Sequence, residues 1–167
     1  MKLSIPYELN EPCSFDGFRI DDYVIVDRGN NRLVLNKGGV FELVGEQGSG
    51  AEQFDNPQVV TYIGDEIFVS DQGNNRIQKL SQAAKFVTSF GTDHLESPSG
   101  MTTDGKFLFV LDNAKNAVLL FSAEGDFLYA ISDDFDNPRD IYFSQGRLYI
   151  SEAGGRFRIY KNKKYPD

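Results

Sequence analysis

The chain has 167 residues, with 17 basic and 25 acidic side chains and a formal net charge of −8. That size favours one domain with its own core, and that balance opposes polyanionic partners, which excludes nucleic acid and anionic membrane surfaces as first readings. Cys13 is the single cysteine, so no internal disulfide can form. The longest apolar runs, "FLFVL" and "AVLLF", fall far short of the roughly 20 residues that span a bilayer, and no leader-like apolar stretch opens the sequence; the expectation is a cytoplasmic protein without a membrane anchor.

In chain order, Lys2–Ile5 reads as a first short strand, after which Pro12 opens the first of four units, at 12–45, 57–91, 98–132 and 138–161. The second unit shows the pattern best. Its β-rich segments "QVVTYI", "EIFVSD", "RIQKLS" and "FVTSFG" are separated by Gly64–Asp65, Gly73–Asn75 and Gln82–Lys85, residues that tolerate turn dihedrals. Three landmarks recur in phase. Asp27, Asp71, Asp112 and Glu152 follow one another at steps of 44, 41 and 40 residues; Pro12, Pro57, Pro98 and Pro138 precede them by 15, 14, 14 and 14; and Leu9, Phe54, Leu95 and Phe135 lie three before each proline. Segments such as Tyr23–Val26 and Phe107–Leu111 are apolar at successive positions, the mark of a strand buried on both faces. Four-stranded antiparallel meanders stacked radially bury both faces, which predicts an all-β fold, a β-propeller of four blades.

The fourth unit stops after its third strand, "RFRIYK". Ile5 lies seven residues before Pro12, as Ile131 lies seven before Pro138, so residues 2–9 are expected to supply the missing outer strand and clasp a four-bladed ring shut. The alternative is exchange of that strand between two chains, each forming half of a larger, eight-bladed ring.

The hexapeptides "DRGNNR" (Asp27–Arg32) and "DQGNNR" (Asp71–Arg76) join second to third strands. Acid and base are expected to face each other across an exposed hairpin, a contribution of roughly 0.2–1 kcal/mol, with Gly and Asn supplying positive φ. With "IFVSD", "GNNRI", "FVTSFG" and the connection "GEQGSGAEQFDNP", these units resemble NHL repeats; the third departs at Ala117, where arginine is missing, and the fourth shortens the turn to "EAGGRF". The resemblance implies a propeller used mostly for protein or RNA recognition and occasionally for enzymatic chemistry. For the enzymatic case the resemblance implies a calcium ion held by oxygen ligands at the ring axis, as in some related propellers.

No catalytic set emerges from the residues themselves. His94 is the single histidine, so the multi-histidine zinc site of the amidating lyases that share this repeat cannot be assembled; a solvated loop position is expected. No nucleophile elbow is present. Gly45–Gly50 lacks the helix and lysine of a phosphate cradle and reads as a connector. Cys13, beside Pro12, reads as a small buried thiol, and the basic clusters at Arg156–Arg158 and Lys161–Lys164 as a solvated last strand and tail.

Charge is distributed more tellingly. The unit-to-unit connections, which share one rim with the second-to-third turns, hold Glu11, Glu46, Glu52, Asp55, Asp93, Glu96, Asp133, Asp134 and Asp136 and no lysine or arginine. Arg19, Lys37, Lys85, Lys106 and Arg147 fall on the opposite rim. The expected function is a non-catalytic binding module or scaffold whose acidic face, centred on Glu46, Glu52, Asp55, Asp93, Glu96, Asp133, Asp134 and Asp136, takes a protein, a basic peptide or a cation. The alternatives are a propeller enzyme of lactonase or lyase type with an axial calcium ion, and a subunit of a larger propeller.

Overall fold

The computed structural model describes residues 5–19 and 21–161. The strand expected at Lys2–Ile5 therefore lies outside the described residues apart from Ile5, which belongs to no strand. The first unit comprises β1 (Pro12–Arg19), β2 (Asp22–Asp27), β3 (Arg32–Lys37) and β4 (Val40–Val44). Two short segments, β5 (Glu46–Gln47) and β6 (Gln53–Phe54), pair in parallel within the connection that follows. The second unit is β7 (Pro57–Ile63), β8 (Glu66–Asp71), β9 (Arg76–Leu80) and β10 (Phe86–Phe90), and the third is β11 (Pro98–Thr103), β12 (Phe107–Asp112), β13 (Ala117–Ser122) and β14 (Phe127–Ile131). The fourth, β15 (Pro138–Ser144), β16 (Arg147–Glu152) and β17 (Phe157–Lys161), has three strands among the described residues. Each unit is an antiparallel meander in chain order, so the all-β expectation holds.

Each first strand starts on proline and shifts register directly after it, between Pro12 and Ser14, Pro57 and Val60, Pro98 and Gly100, and Pro138 and Asp140. Proline has no N–H to give the ladder, so it is accommodated at the strand's first residue beside a bulge. Successive units stack face to face. Val24, Val26, Leu33 and Leu35 meet Val60, Ile67 and Val69; Phe68 and Ile77 meet Met101, Leu108 and Val110; Phe109, Leu111, Val118 and Leu120 meet Ile141, Leu148 and Ile150. Strands with apolar residues at successive positions are thus buried on both sides in the interior units, as at Leu108–Leu111; Tyr23–Val26 differs from its expected burial, Val24 and Val26 being buried and Tyr23 and Ile25 half-buried, because among the described residues no unit packs on that side of the first.

The hexapeptide turns differ from their expected form. Arg28–Asn30 and Gln72–Asn74 form single 3₁₀ turns, closed by Asn31 (φ 51°) and Asn75 (φ 52°) in the left-handed region. The asparagines therefore supply the positive φ. The glycines serve close approach instead: a Cβ on Gly73 would sit 2.5 Å from the Asp55 side chain, and one on Gly29 2.6 Å from Asn10.

The acid and base of the hexapeptide are also buried, not exposed. Asp71 is 0% and Arg76 9% accessible. The Asp71 carboxylate accepts the Arg76 Nε–H at 2.8 Å and the Asp55 backbone N–H at 2.7 Å, while the Arg76 Nη groups donate to the carbonyls of Ser49, Gly50 and Gln53 at 2.8–2.9 Å. Breaking a buried, hydrogen-bonded ion pair from one side leaves a charge without compensation, which costs about 3–5 kcal/mol. Arg76→Ala is accordingly expected to lower the unfolding free energy by that amount in denaturant titration, and by more than Arg32→Ala, whose side chain is twice as exposed.

The fourth unit repeats the arrangement with a longer acid. Glu152 accepts the Arg158 Nε–H and the Asp136 N–H; the Arg158 bond, followed by the backbone bond, holds its carboxyl below the ordinary value of 4.5. The unfolded chain takes up that proton at higher pH than the folded protein does, so Glu152's contribution is complete above the ordinary range and is lost as pH falls through the lower folded value. Glu152→Gln should show a melting-temperature deficit that is constant above about pH 5 and narrows in more acidic solution, read by calorimetry across that interval.

Candidate functional site

Second-to-third turns and unit-to-unit connections are bonded to one another on a single rim. Gly29 N–H donates to Asn10 O, Gly73 to Asp55 O, Asn113 to Ser97 O and Ala153 to Asn137 O, at 2.8–3.1 Å. The fixed acids Asp27, Asp71, Asp112 and Glu152 lie beneath these contacts and are fully or almost fully buried. Each accepts the backbone N–H of the residue two before its unit's proline, from Asn10, Asp55, Glu96 and Asp136 respectively, at 2.6–2.7 Å.

Above that layer the connection acids divide by partner. Glu11 pairs with Arg28 at 3.1 Å, Glu96 with Lys115 at 2.9 Å and Asp136 with Arg156 at 3.6 Å. Asp133 takes a hydrogen bond from Tyr160, whose phenol is pushed up to about 12, first by burial and then by that carboxylate. Asp55, Asp93, Asp133 and Asp134 form no ion pair among the described residues. Glu46 accepts the Gln53 amide at 3.0 Å in the β5–β6 connection. Glu52 is drawn elsewhere: its carboxylate accepts the Phe86 N–H at 2.9 Å and lies 3.7 Å from Lys85 Nζ, a residue assigned to the other rim by strand order.

The acids are therefore not a single uncompensated array. Arg28 and Lys115 come from the second-to-third turns and Arg156 from the turn before β17, and each reaches the connection beside it. Counting charge only within connections misses these partners; the signal that finds them is the pairing of each turn with the connection it covers. Arg158 is likewise internal, its guanidinium 5.0 Å from the Phe135 ring centroid.

The remaining candidates have structural settings. His94 is exposed but stacks on Phe127, with ring centroids 4.1 Å apart. Residues 45–50 wrap over Arg76, which binds the Ser49 and Gly50 carbonyls. Cys13 differs from its expected burial: the residue is exposed, although its Sγ–H donates to Gln58 O at 3.0 Å and local burial pushes the thiol above its ordinary value of 9.0, which opposes thiolate formation. Among the described residues no three His, Cys, Asp or Glu side chains converge on a point where a metal ion would sit. A calcium site built from three carboxylates therefore has no ligand set among the described residues. Among the described residues no helix is long and apolar enough to cross a membrane.

No family model matches the chain. Its sequence is 30% identical over 128 residues to protein brain tumor of Drosophila melanogaster, an alignment spanning 73% of this chain and 12% of that protein. Virginiamycin B lyase from Staphylococcus aureus, a β-propeller protein, superposes with a TM-score of 0.71 at 13% identity over 97% of this chain and 59% of its own. The computationally designed Ika4 protein superposes with a TM-score of 0.74 at 6% identity over 95% of both chains. The chain thus spans a small part of the curated relative and somewhat over half of the lyase, and the likeness to solved structures establishes its fold as that of β-propeller proteins.

Proposed function

We propose that the chain is a non-catalytic binding module of four NHL-like blades whose acidic rim receives a lysine- and arginine-rich segment of another protein. The observation that supports this reading most is the set of connection carboxylates without an ion partner among the described residues, Glu46, Asp55, Asp93, Asp133 and Asp134, spread over three successive connections. Acids already paired to Arg28, Lys115 and Arg156 contribute little field of their own. The unpaired ones attract cations and repel phosphate backbones, an effect that fades beyond a Debye length of about 8 Å at physiological salt. A lyase-like reading has less support, since His94 is held against Phe127 and the Cys13 thiol is kept protonated.

Binding of a Lys/Arg-rich peptide should exceed that of single-stranded RNA at physiological salt. Replacing Asp55, Asp93 and Asp134 together by Asn should weaken the peptide by about tenfold, with the loss fading as salt is raised. Fluorescence anisotropy with both ligands checks this. Peptide affinity indifferent to the three replacements, or tighter RNA binding, would overturn the reading.

A further inference from the structure

The two end faces of the stack are halves of the interface that joins its interior blades. At the third position after each proline stand Phe15, Val60, Met101 and Ile141. Val60, Met101 and Ile141 are buried against the preceding blade at 3%, 7% and 4% accessibility, but Phe15 is 78% exposed. Four residues before each fixed acid, Ile67, Leu108 and Leu148 are fully buried where Tyr23 is only half-buried, and two before it Val69, Val110 and Ile150 are fully buried where Ile25 is half-buried. Phe15, Tyr23 and Ile25 line one groove of about 630 Å³ with Leu9 and Arg19.

The fourth blade shows the converse. Phe157 pairs with Ser151 as Leu33 pairs with Val26, Ile77 with Ser70 and Val118 with Leu111. Leu33, Ile77 and Val118 are wholly buried by the following blade, and Phe157 is 63% exposed. Ile159, which corresponds to Leu35 and Leu120, is exposed as well, as is Tyr142. β1 and β15 do not pack on each other as β1 packs on β7, β7 on β11 and β11 on β15.

Polar features repeat with the same direction. Asp16, four after Pro12, uses Oδ1 for the Gly17 N–H and Oδ2 for the Tyr62 N–H of the next blade, at 2.8 and 3.1 Å. Thr102, four after Pro98, accepts the Phe143 N–H of its next blade at 3.1 Å. Ser14, two after Pro12, accepts the Val60 N–H of the next blade on Oγ at 3.2 Å, and Asp140, two after Pro138, stands at the same position on the free face of the fourth blade. The two faces thus match in apolar register and carry hydrogen-bonding groups at the positions the interior interfaces use.

From this we infer that a second copy of the chain covers both end faces, the first blade of each copy docking on the fourth blade of the other to form a ring of two chains. The contact is heterologous, and a pair of such contacts related by a two-fold axis closes without leaving an end. It continues the interior blade-to-blade interface and is independent of the acidic rim. Direct closure of one copy on itself is the competing arrangement.

Light scattering coupled to size exclusion distinguishes them. The wild-type chain should run at twice its monomer mass of 18.8 kDa at micromolar concentration, with a melting temperature that rises with protein concentration. Phe15→Asp and Phe157→Asp should each shift the mass to the monomer and abolish that concentration dependence. Mixing the two variants should restore part of the dimer, because one of its two contacts is then unaltered. A monomeric wild type at about 100 µM, roughly a hundred times a micromolar dissociation constant, would overturn the inference whether or not the variants fold. A dimer unaffected by both substitutions, or a mass that climbs without limit, would overturn it equally.

Discussion

A carboxylate placed under each second-to-third turn organises the structure. In Asp27, Asp71, Asp112 and Glu152 it ends the second strand, is removed from solvent, and accepts the N–H two residues before the proline that starts the same unit. A buried carboxylate is costly unless its lone pairs are filled. That cost is what ties the turn, the third strand and the incoming connection to one geometry. Where a basic partner exists, at Arg32, Arg76 or Arg158, the guanidinium fills the remaining positions. In the third unit Ala117 cannot do so, and Asp112 instead takes three backbone donors, the N–H groups of Glu96, Ser97 and Lys115, at 2.7–3.1 Å. The acid is the constant; the arginine is one of two ways to satisfy it.

The same construction shapes the candidate binding rim. Because turn and connection are held in contact, a cation on the turn is delivered to an anion on the connection, as in Arg28–Glu11 and Lys115–Glu96. Exposed pairs of this kind add little stability, but they remove charge from the field seen by a partner. What is left without an ion pair among the described residues is a smaller set of carboxylates, spaced by the blades.

Stacking of repeated sheets carries a second consequence. Each blade has a face that receives its predecessor and one that covers its successor, and the hydrogen bonds that the Tyr62 N–H donates to Asp16 and the Phe143 N–H donates to Thr102 give the stack a direction. An interface built this way cannot be satisfied inside an open row, because the first and last blades retain one face each. Phe15 and Phe157 stand at the register positions that Val60 and Ile77 fill inside the interior interfaces, and they are exposed there.

Much of this was legible in the residues. The period of the acids, the prolines in phase and the doubly apolar strands at Tyr23–Val26 and Phe107–Leu111 follow from local chemistry repeated along the chain, and together they determined the meanders and their stacking. The burial of Asp71 and Arg76 was not legible, because it depends on the Ser49–Gln53 segment folding back over them from a distant part of the sequence. Nor was the redirection of Glu52 towards Phe86, or the neutralisation of Glu11 and Glu96 from the facing turns. Sequence spacing reports which residues share a strand, a turn or a face. Which charges meet across separate segments, and which apolar faces remain uncovered, was decided by tertiary packing, since only there do residues 30 positions apart come within hydrogen-bonding reach of about 3 Å.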